Sequence, residues 1–335
     1  AEFVVHLAGV NRPKDGDFSG NTGSLEDVLS RLEWAKSEAP VLLASSAQAS
    51  LAGRYVGSAY GKSKLEAEGM LRSYSEAHGI EAYIYRFPNL YGKWCRPNYN
   101  SAVATFCDAI ANGREFYVDD SGTELELLYI DDLVSCVLEC MLGNVKPDAD
   151  GFCHATPTDR KTLGEIVSLL KSFRDTRETL DVSDFTPGSF SKKLFSTFLS
   201  YYEPGRLAYD LRSNTDARGS FTEFLHTPER GQISINVSKP GITKGEHWHM
   251  SKWEKFLVVS GHALVRIRRV GKGFDGKPYP VDEYEVFGDD MRVIEMPPGT
   301  AHSIKNLSRT DKLVTVIWCN EVFNPNAPDT YREGV

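Results

Sequence analysis

The chain has 335 residues, 41% of them hydrophobic and 25% charged, with a formal net charge of −8 at pH 7. That balance excludes an intrinsically disordered chain, and the length suits two globular domains. Basic residues are scattered, which argues against nucleic acid or an anionic membrane as the main partner; a phosphorylated ligand then needs a local basic pocket. No apolar run approaches the roughly 20 residues a membrane helix requires, and no signal peptide is visible. Six cysteines without a CxxC pair read as free thiols in a reducing cytosol, so a cytoplasmic location is expected.

The chain opens on "FVVHLAG", a buried-strand pattern without an initiator methionine, as if entered partway through a domain. "SLEDVLSRLEWAKS" follows with helical spacing, then "PVLLASS" as a second buried strand, and "SAYGKSKLEAEGMLRSYSEAHG" as a helix stopped by His-Gly. "EAYIYRFPNLYG" reads as a strand running into a loop, and "SAVATFCDAIANG" and "YIDDLVSCVLECMLG" as helices. Such strand–helix alternation predicts a parallel sheet covered on both faces. "TLGEIVSLLKSFRDTRETL" is a further helix, with Thr162 and Glu165 spaced as a capping box. From about residue 207 short alternating strands take over, separated by Gly, Pro and Asp turns: "GQISINVS", "EKFLVVSG", "ALVRIRRV", "DEYEVF", "MRVIEMP" and "KLVTVIWCN". This predicts an α/β domain over 1–206 and an all-β sandwich or barrel over 207–335.

In "YGKSK", Lys64 lies one helical turn after Tyr60, so the two side chains share a face. A nearby ammonium is expected to lower the phenol pKa and let Tyr60 exchange a proton with a carbonyl or alcohol. Ser45 and Ser46 end a buried strand close by in the motif order. A Tyr-x-x-x-Lys alone also occurs on solvated helices. The ordered series "HLAG", "ASSAQAS", "AYGKSKLEAE", "YRFPNLYG" and "YIDDLV", however, resembles the extended short-chain dehydrogenase/reductase family through residues 1–140. The resemblance implies a Rossmann-type sheet with Tyr60 as acid/base, Lys64 as its modulator and ribose anchor, and Ser46 as substrate orienter. It further implies NADP(H) as cofactor, held by Ala8, Gly9, Tyr60, Lys64 and Asn89, and substrate contacts from Ser46, Asn89, Arg96 and Asn100. Family members begin with a Gly-rich turn that this sequence lacks, since "FVVHLAG" matches the family's fourth strand. On that likeness two strand–helix steps, on the order of 50–60 residues, are expected ahead of Ala1.

"GITKGEHWHMSKWEKFLVVSG" contains His247 and His249 at i and i+2, on one face of any strand. By itself this fits an ordinary strand with a polar face. The full run, G-x5-H-x-H-x4-E-x6-G, together with "PPGTAHSIKN", resembles the two motifs of the cupins. That likeness implies a jelly-roll barrel with His247, His249, Glu254 and His302 around one divalent ion, zinc being the default. "DARGSFTEF" is similar to the entry strand of the deoxysugar 3,5-epimerases, which implies Arg218 and Glu223 near the substrate. The same likeness sets Lys244 at an arginine position and His247 at the family's base. A liganded imidazole cannot be a free base, so the two likenesses compete for His247, and the metal role is preferred. Another base is then required, with Tyr284 or Lys244 as candidates.

The two halves make joint chemical sense, because a C4 ketone acidifies C3–H and C5–H, so epimerisation must precede reduction. "VNRP", "GKWCRPNYNS", "SKPGITKG", "HWH" and "NPNAPDTY" resemble the bifunctional capsular-polysaccharide enzymes on the route to UDP-N-acetyl-L-fucosamine. This implies C3 epimerisation of a UDP-4-keto-2-acetamido-2,6-dideoxyhexose, NADPH-dependent C4 reduction to UDP-2-acetamido-2,6-dideoxy-talose, and a homodimer. Two alternatives stand beside it: a single-activity epimerase with a vestigial reductase domain, and a non-catalytic cupin that binds sugar nucleotides.

Overall fold

The structure is a computed structural model that describes residues 1–335 except 181, 183–184, 212, 217–218, 223–230 and 322–323; side chains of 212–230 and 232–234 are likewise outside it. The first elements alternate as read: β1 (Val4–His6), α1 (Gly20–Trp34), β2 (Val41–Ser46), α2 (Ala59–His78) and β3 (Ala82–Phe87). β1, β2 and β3 pair in parallel. The strands carry apolar residues on both sides because both faces are covered. Val41, Leu43 and Ile84 pack with Leu25, Leu29 and Leu71 of α1 and α2, while Leu42, Tyr83 and Tyr85 pack on the opposite side with Leu133 and Cys140. Each fully buried leucine there contributes about 1.5–3 kcal/mol. Gly79 stops α2 in the left-handed conformation, at φ 68°, as the His-Gly ending predicts.

Next come β4 (Asn89–Tyr91), α3 (Ala102–Asn112), β5 (Glu124–Tyr129), α4 (Ile130–Met141) and β6 (Thr158–Thr162). β5 pairs in parallel with β4 and antiparallel with β6. Neither β5 nor β6 was expected: "ELELLY" and "TDRKT" are too short and polar to stand out by period alone.

The helices α5 (Leu163–Thr179) and α6 (Phe190–Leu199) precede β7 (Ala208–Asp210), β8 (Ser213–Asp216) and β9 (Gly219–Thr222). The remaining strands are β10 (Gln232–Ser238), β11 (Thr243–Trp248), β12 (Glu254–Ser260), β13 (His262–Arg269) and β14 (Val281–Phe287), then β15 (Arg292–Met296), β16 (Thr300–Asn306), β17 (Leu313–Cys319) and β18 (Tyr331–Arg332). They form two five-stranded sheets, β10-β17-β12-β15-β7 and β14-β13-β16-β11-β18. Phe256, Val258, Ile294 and Met296 of the first sheet share a core with Val265, Ile267, Val286 and Ile304 of the second. Among the described residues the ladders form two separate sheets that hold the motif strands, an antiparallel all-β arrangement of the kind a sandwich or jelly roll uses.

Two compact units result: Ala1–Ala102 with Asp120–Leu163, and Val103–Asp119 with Gly164–Val335. The division expected at 206 is therefore not where the chain packs apart. α6, unread in the sequence, buries all but its Ser191. Its Phe195 sits 5.1 Å from the ring of Trp253, which Phe185 meets edge-on at 5.0 Å. Asn112 at the end of α3 joins the same unit, donating to Tyr201 O at 2.8 Å and accepting from Glu203 N at 3.1 Å.

Candidate active site and metal centre

In the first unit β2 ends on Ser45 and Ser46, and Ser46 Oγ accepts from Gln48 N at 3.2 Å to cap a short 3₁₀ turn. Ser58 caps α2 by accepting from Gly61 N at 2.9 Å, which sets Tyr60 in the first turn and Lys64 one turn deeper. Lys64 is buried; its Nζ donates to Ala44 O at 3.1 Å and lies 5.9 Å from the centre of the Tyr60 ring. Burial raises the Tyr60 phenol above its ordinary pKa, opposed by a hydrogen bond with Ser46. The lowering expected from Lys64 is thus not present in the chain alone. The ammonium is spent on a strand carbonyl rather than aimed at the hydroxyl, and burial lowers its own pKa against the pull of Glu68.

Sequence reading passed over Glu68, although it lies one further turn along the same helix face. It is 2% exposed, gripped by Arg86 Nε at 2.9 Å and Nη2 at 2.6 Å, and hydrogen-bonded by Ser45 Oγ. The helical spacing Tyr60–Lys64–Glu68 was the available signal.

These residues border a cleft of about 420 Å³ whose lining includes Gly9, Ser46, Tyr60, Lys64, Asn89 and Asn100. Asn89 is oriented by donating to Glu126 O at 3.1 Å. Two expected residues stand off it: Ala8 is exposed, and Arg96 lies over the Tyr99 ring at 5.2 Å, neither lining the cleft. Arg12 of "VNRP" does line it, a cation on the cleft wall beside Lys64.

In the second unit β11 carries a bulge. Gly245 at φ 94° and Glu246 at φ 57° break the register, so that His247 rather than Glu246 stands opposite His302 of β16. A Cβ on Gly245 would come within 2.8 Å of His302 O. His249 follows on the same face, and Glu254 enters from β12 in the other sheet. One donor atom from each of His247, His249, Glu254 and His302 lies within 4.8 Å of all the others. Glu254 Oε2 is 3.2 Å from His302 Nε2 and 3.6 Å from His249 Nε2.

The imidazoles are set up as ligands. His249 Nδ1 meets Asp329 O at 2.6 Å and His302 Nδ1 meets Thr300 O at 3.3 Å. A carbonyl only accepts, so each Nδ1 is the donor of its pair, and in the neutral ring this leaves Nε2 as the lone-pair nitrogen. Both Nε2 atoms are buried without a well-directed partner among the described residues. Burial, then His302 and His249, push His247 down to about 4. Burial alone would raise Glu254, but His302 and His249 beside it hold it well below the usual carboxylate range. Three imidazoles and one carboxylate are a donor set that suits a first-row divalent ion, so the residues present fit the expected metal.

The other epimerase candidates are more scattered. Lys244 Nζ donates to Asn236 Oδ1 at 2.7 Å and Val237 O at 2.9 Å, which suits a charged donor rather than a base. Tyr284 is 5% exposed within the hydrophobic core. Arg218 and Glu223 lie outside the described residues.

Residues 37–149 match the NAD dependent epimerase/dehydratase family, and residues 214–331 match the polysaccharide biosynthesis C-terminal domain. The chain is 44% identical to the capsular polysaccharide assembling protein CapF of Staphylococcus aureus, covering 100% of this chain and 87% of that one at a TM-score of 0.61. The Bacillus subtilis spore coat polysaccharide biosynthesis protein SpsL is 28% identical over 127 residues, 36% of this chain and 83% of that protein. A Pseudomonas aeruginosa UDP-2-acetamido-2,6-beta-L-arabino-hexul-4-ose reductase is 37% identical over 334 residues, 98% of this chain and 85% of that protein. Among the described residues no helix is long and apolar enough to cross a membrane. With an epimerase/dehydratase-type segment followed by a polysaccharide-biosynthesis domain, and likeness along nearly its whole length, the chain belongs to the family of the UDP-2-acetamido-2,6-beta-L-arabino-hexul-4-ose reductase.

Proposed function

We propose that the protein is a bifunctional sugar-nucleotide enzyme of capsule or related polysaccharide synthesis, a homodimer that epimerises and then reduces a UDP-4-keto-2-acetamido-2,6-dideoxyhexose. The observation that carries the reading is the convergence of Ser46, Tyr60 and Lys64 on one cleft that also holds Arg12 and Asn89. A nicotinamide cofactor, NADPH in this proposal, supplies the hydride. Ser46 Oγ and Tyr60 Oη hold the C4 oxygen by hydrogen bonds, and Tyr60 delivers the proton that this oxygen needs as C4 is reduced. Lys64, 5.9 Å from the centre of the Tyr60 ring, would lower the cost of losing that proton only once cofactor and substrate are bound. Arg12 is the cation suited to the diphosphate, and Asn89 and Asn100 to the sugar or ribose.

C3 epimerisation is assigned to the cupin-like second unit, with the talose-configured product following from the reductase step. His247, His249, Glu254 and His302 would hold one divalent ion, zinc in this proposal. Such an ion supplies positive charge that can polarise a ketone or tie the two sheets together. Lys244, already a double hydrogen-bond donor, is suited to steady a substrate oxygen.

The test gives the full-length protein NADPH and the 4-keto UDP-sugar in heavy water. Expected are consumption of NADPH, a loss of roughly 10²–10⁴-fold in Tyr60→Phe, and deuterium at C3 that survives Tyr60→Phe but vanishes in His302→Ala. No NADPH consumption overturns the reductase assignment. No deuterium at C3 overturns the epimerase assignment and favours a sugar-nucleotide-binding module. Metal content undiminished in both His247→Ala and His302→Ala overturns the ligand set.

A further inference from the structure

We propose that the C-terminal segment, residues 328–333, is a built-in part of the second site, with Asp329 the positioning residue that sets His249 for metal binding. This rests on the metal reading above. Asp329 acts on His249 and on the turn behind it at the same time. Its main-chain carbonyl accepts a hydrogen bond from His249 Nδ1 at 2.6 Å, which in the neutral ring leaves Nε2, 3.6 Å from Glu254, as the lone-pair nitrogen. Its carboxylate accepts from three successive amides just after His249, Met250 N at 2.8 Å and Ser251 N and Lys252 N at 3.0 Å each, and from Ser251 Oγ at 3.0 Å. A carboxylate that collects three amides freezes the turn they belong to. The ring that the turn carries is held from its far nitrogen by the same residue.

The backbone conformation suits the residue, since Asp329 has φ 41°, in the left-handed region where aspartate is several-fold enriched among residues with a Cβ. The segment is fastened on both sides. Upstream, Lys252 Nζ donates to Pro328 O. Downstream, β18 pairs with β11, setting Arg332 opposite His247 and Tyr331 opposite Trp248. Trp248 and Tyr331 stack at 4.7 Å, Glu333 N donates to Glu246 O at 3.0 Å, and Arg268 donates to Glu333 at 2.9 Å. β11 therefore has His302 of β16 on one edge and the C-terminal segment on the other. Removal of the segment would leave the histidine strand as an open edge and His249 free to rotate or change tautomer. Groups in this position, bound to a ligand rather than to the metal, ordinarily change metal affinity by about 10–100-fold.

The experiment measures Zn²⁺ and Co²⁺ affinity by chelator competition on full-length wild type, Asp329→Ala, Asp329→Asn and His302→Ala. Expected is roughly 10–100-fold weaker binding in Asp329→Ala, an altered Co²⁺ absorption spectrum, and a smaller effect in Asp329→Asn, which keeps one acceptor oxygen. Wild-type affinity in Asp329→Ala overturns the inference while leaving the metal reading intact. No uptake by wild type, or full uptake by His302→Ala, overturns the metal reading and the inference with it. Should Asp329→Ala fail to fold, the ring nitrogens of metal-free wild type decide. A ¹⁵N spectrum with the proton on Nδ1 of His249 supports the assignment, and one with it on Nε2 overturns it.

Discussion

The second unit contains a buried charge cluster of Arg177, Lys255 and Glu295, and Glu295→Gln tests what it does. Glu295 is 1% exposed and Lys255 3%. Arg177 of α5 donates to Glu295 at 2.6 Å and to Arg206 O at 2.6 Å, and lies over the Tyr202 ring at 3.8 Å. Lys255 lies 3.3 Å from Glu295 and donates to Tyr209 Oη at 2.7 Å. One carboxylate thus compensates two cations out of water. Its removal leaves both uncompensated, a change that costs about 3–5 kcal/mol when a buried pair is broken. For a unit of this size that corresponds to a melting point lower by roughly 6–20 °C. Lys255→Met leaves the Arg177–Glu295 pair whole and is expected to cost less, about 1–2 kcal/mol. The sign with pH follows from Glu295: burial pushes its pKa up, but Arg177 and Lys255 together hold it below the ordinary value. A depressed folded pKa contributes stability above the unfolded value of about 4.3, lost as pH falls through the folded one. Urea unfolding of the full-length protein between pH 7 and pH 3 measures both. Glu295→Gln within about 1 kcal/mol of wild type at pH 7, or costing less than Lys255→Met, would refute the reasoning.

Other outcomes follow from single observations. Trp253→Ala, at a fully buried ring flanked by Phe185 and Phe195, should cost about 3–5 kcal/mol in urea unfolding; a cost under about 1 would remove α6 from that core. Glu68→Gln removes the charge that sustains the Lys64 ammonium, so the alkaline limb of the NADPH-dependent rate should move to lower pH, and an unmoved limb argues against the coupling. Gly245→Val puts a branched side chain at φ 94° against His302 O. It should lower Zn²⁺ content and stability, by at least about 1–3 kcal/mol for the strain; wild-type metal content would mean that the bulge does not set His247. Tyr60, raised by burial, should ionise at higher pH than a free tyrosine in a difference titration against Tyr60→Phe, and earlier ionisation would contradict the burial assignment.

Where neighbouring residues carry the information, the sequence was readable. The pattern "PVLLASS" foretold a strand buried on both faces, and "SAYGKSK" with its His-Gly stop foretold α2 to within a residue. Spacing also put His247 and His249 together, because i and i+2 on a strand share a face whatever the fold, while Glu254 and His302 came with the resemblance to the cupin motifs. α6 escaped because burial on nearly every side, Lys192 and Lys193 included, erases the helical period that would betray it. The division at 206 missed for the same reason, since the aromatic contacts of Phe195 and Phe185 with Trp253 bridge some 60 to 70 residues of chain.

By itself, then, the sequence determined which chemistry is available: a Tyr–Lys helix behind a serine-ended strand, and three imidazoles with one carboxylate on facing strands. Tertiary structure decided how those groups are set. It turned Lys64 onto Ala44 O, and it set His249 Nδ1 to hydrogen-bond a carbonyl 80 positions away in sequence. It also placed the motif strands in two sheets among the described residues. The reason is that residue type and period specify faces, whereas proton positions, bulge registers and pKa shifts depend on distances that only packing sets.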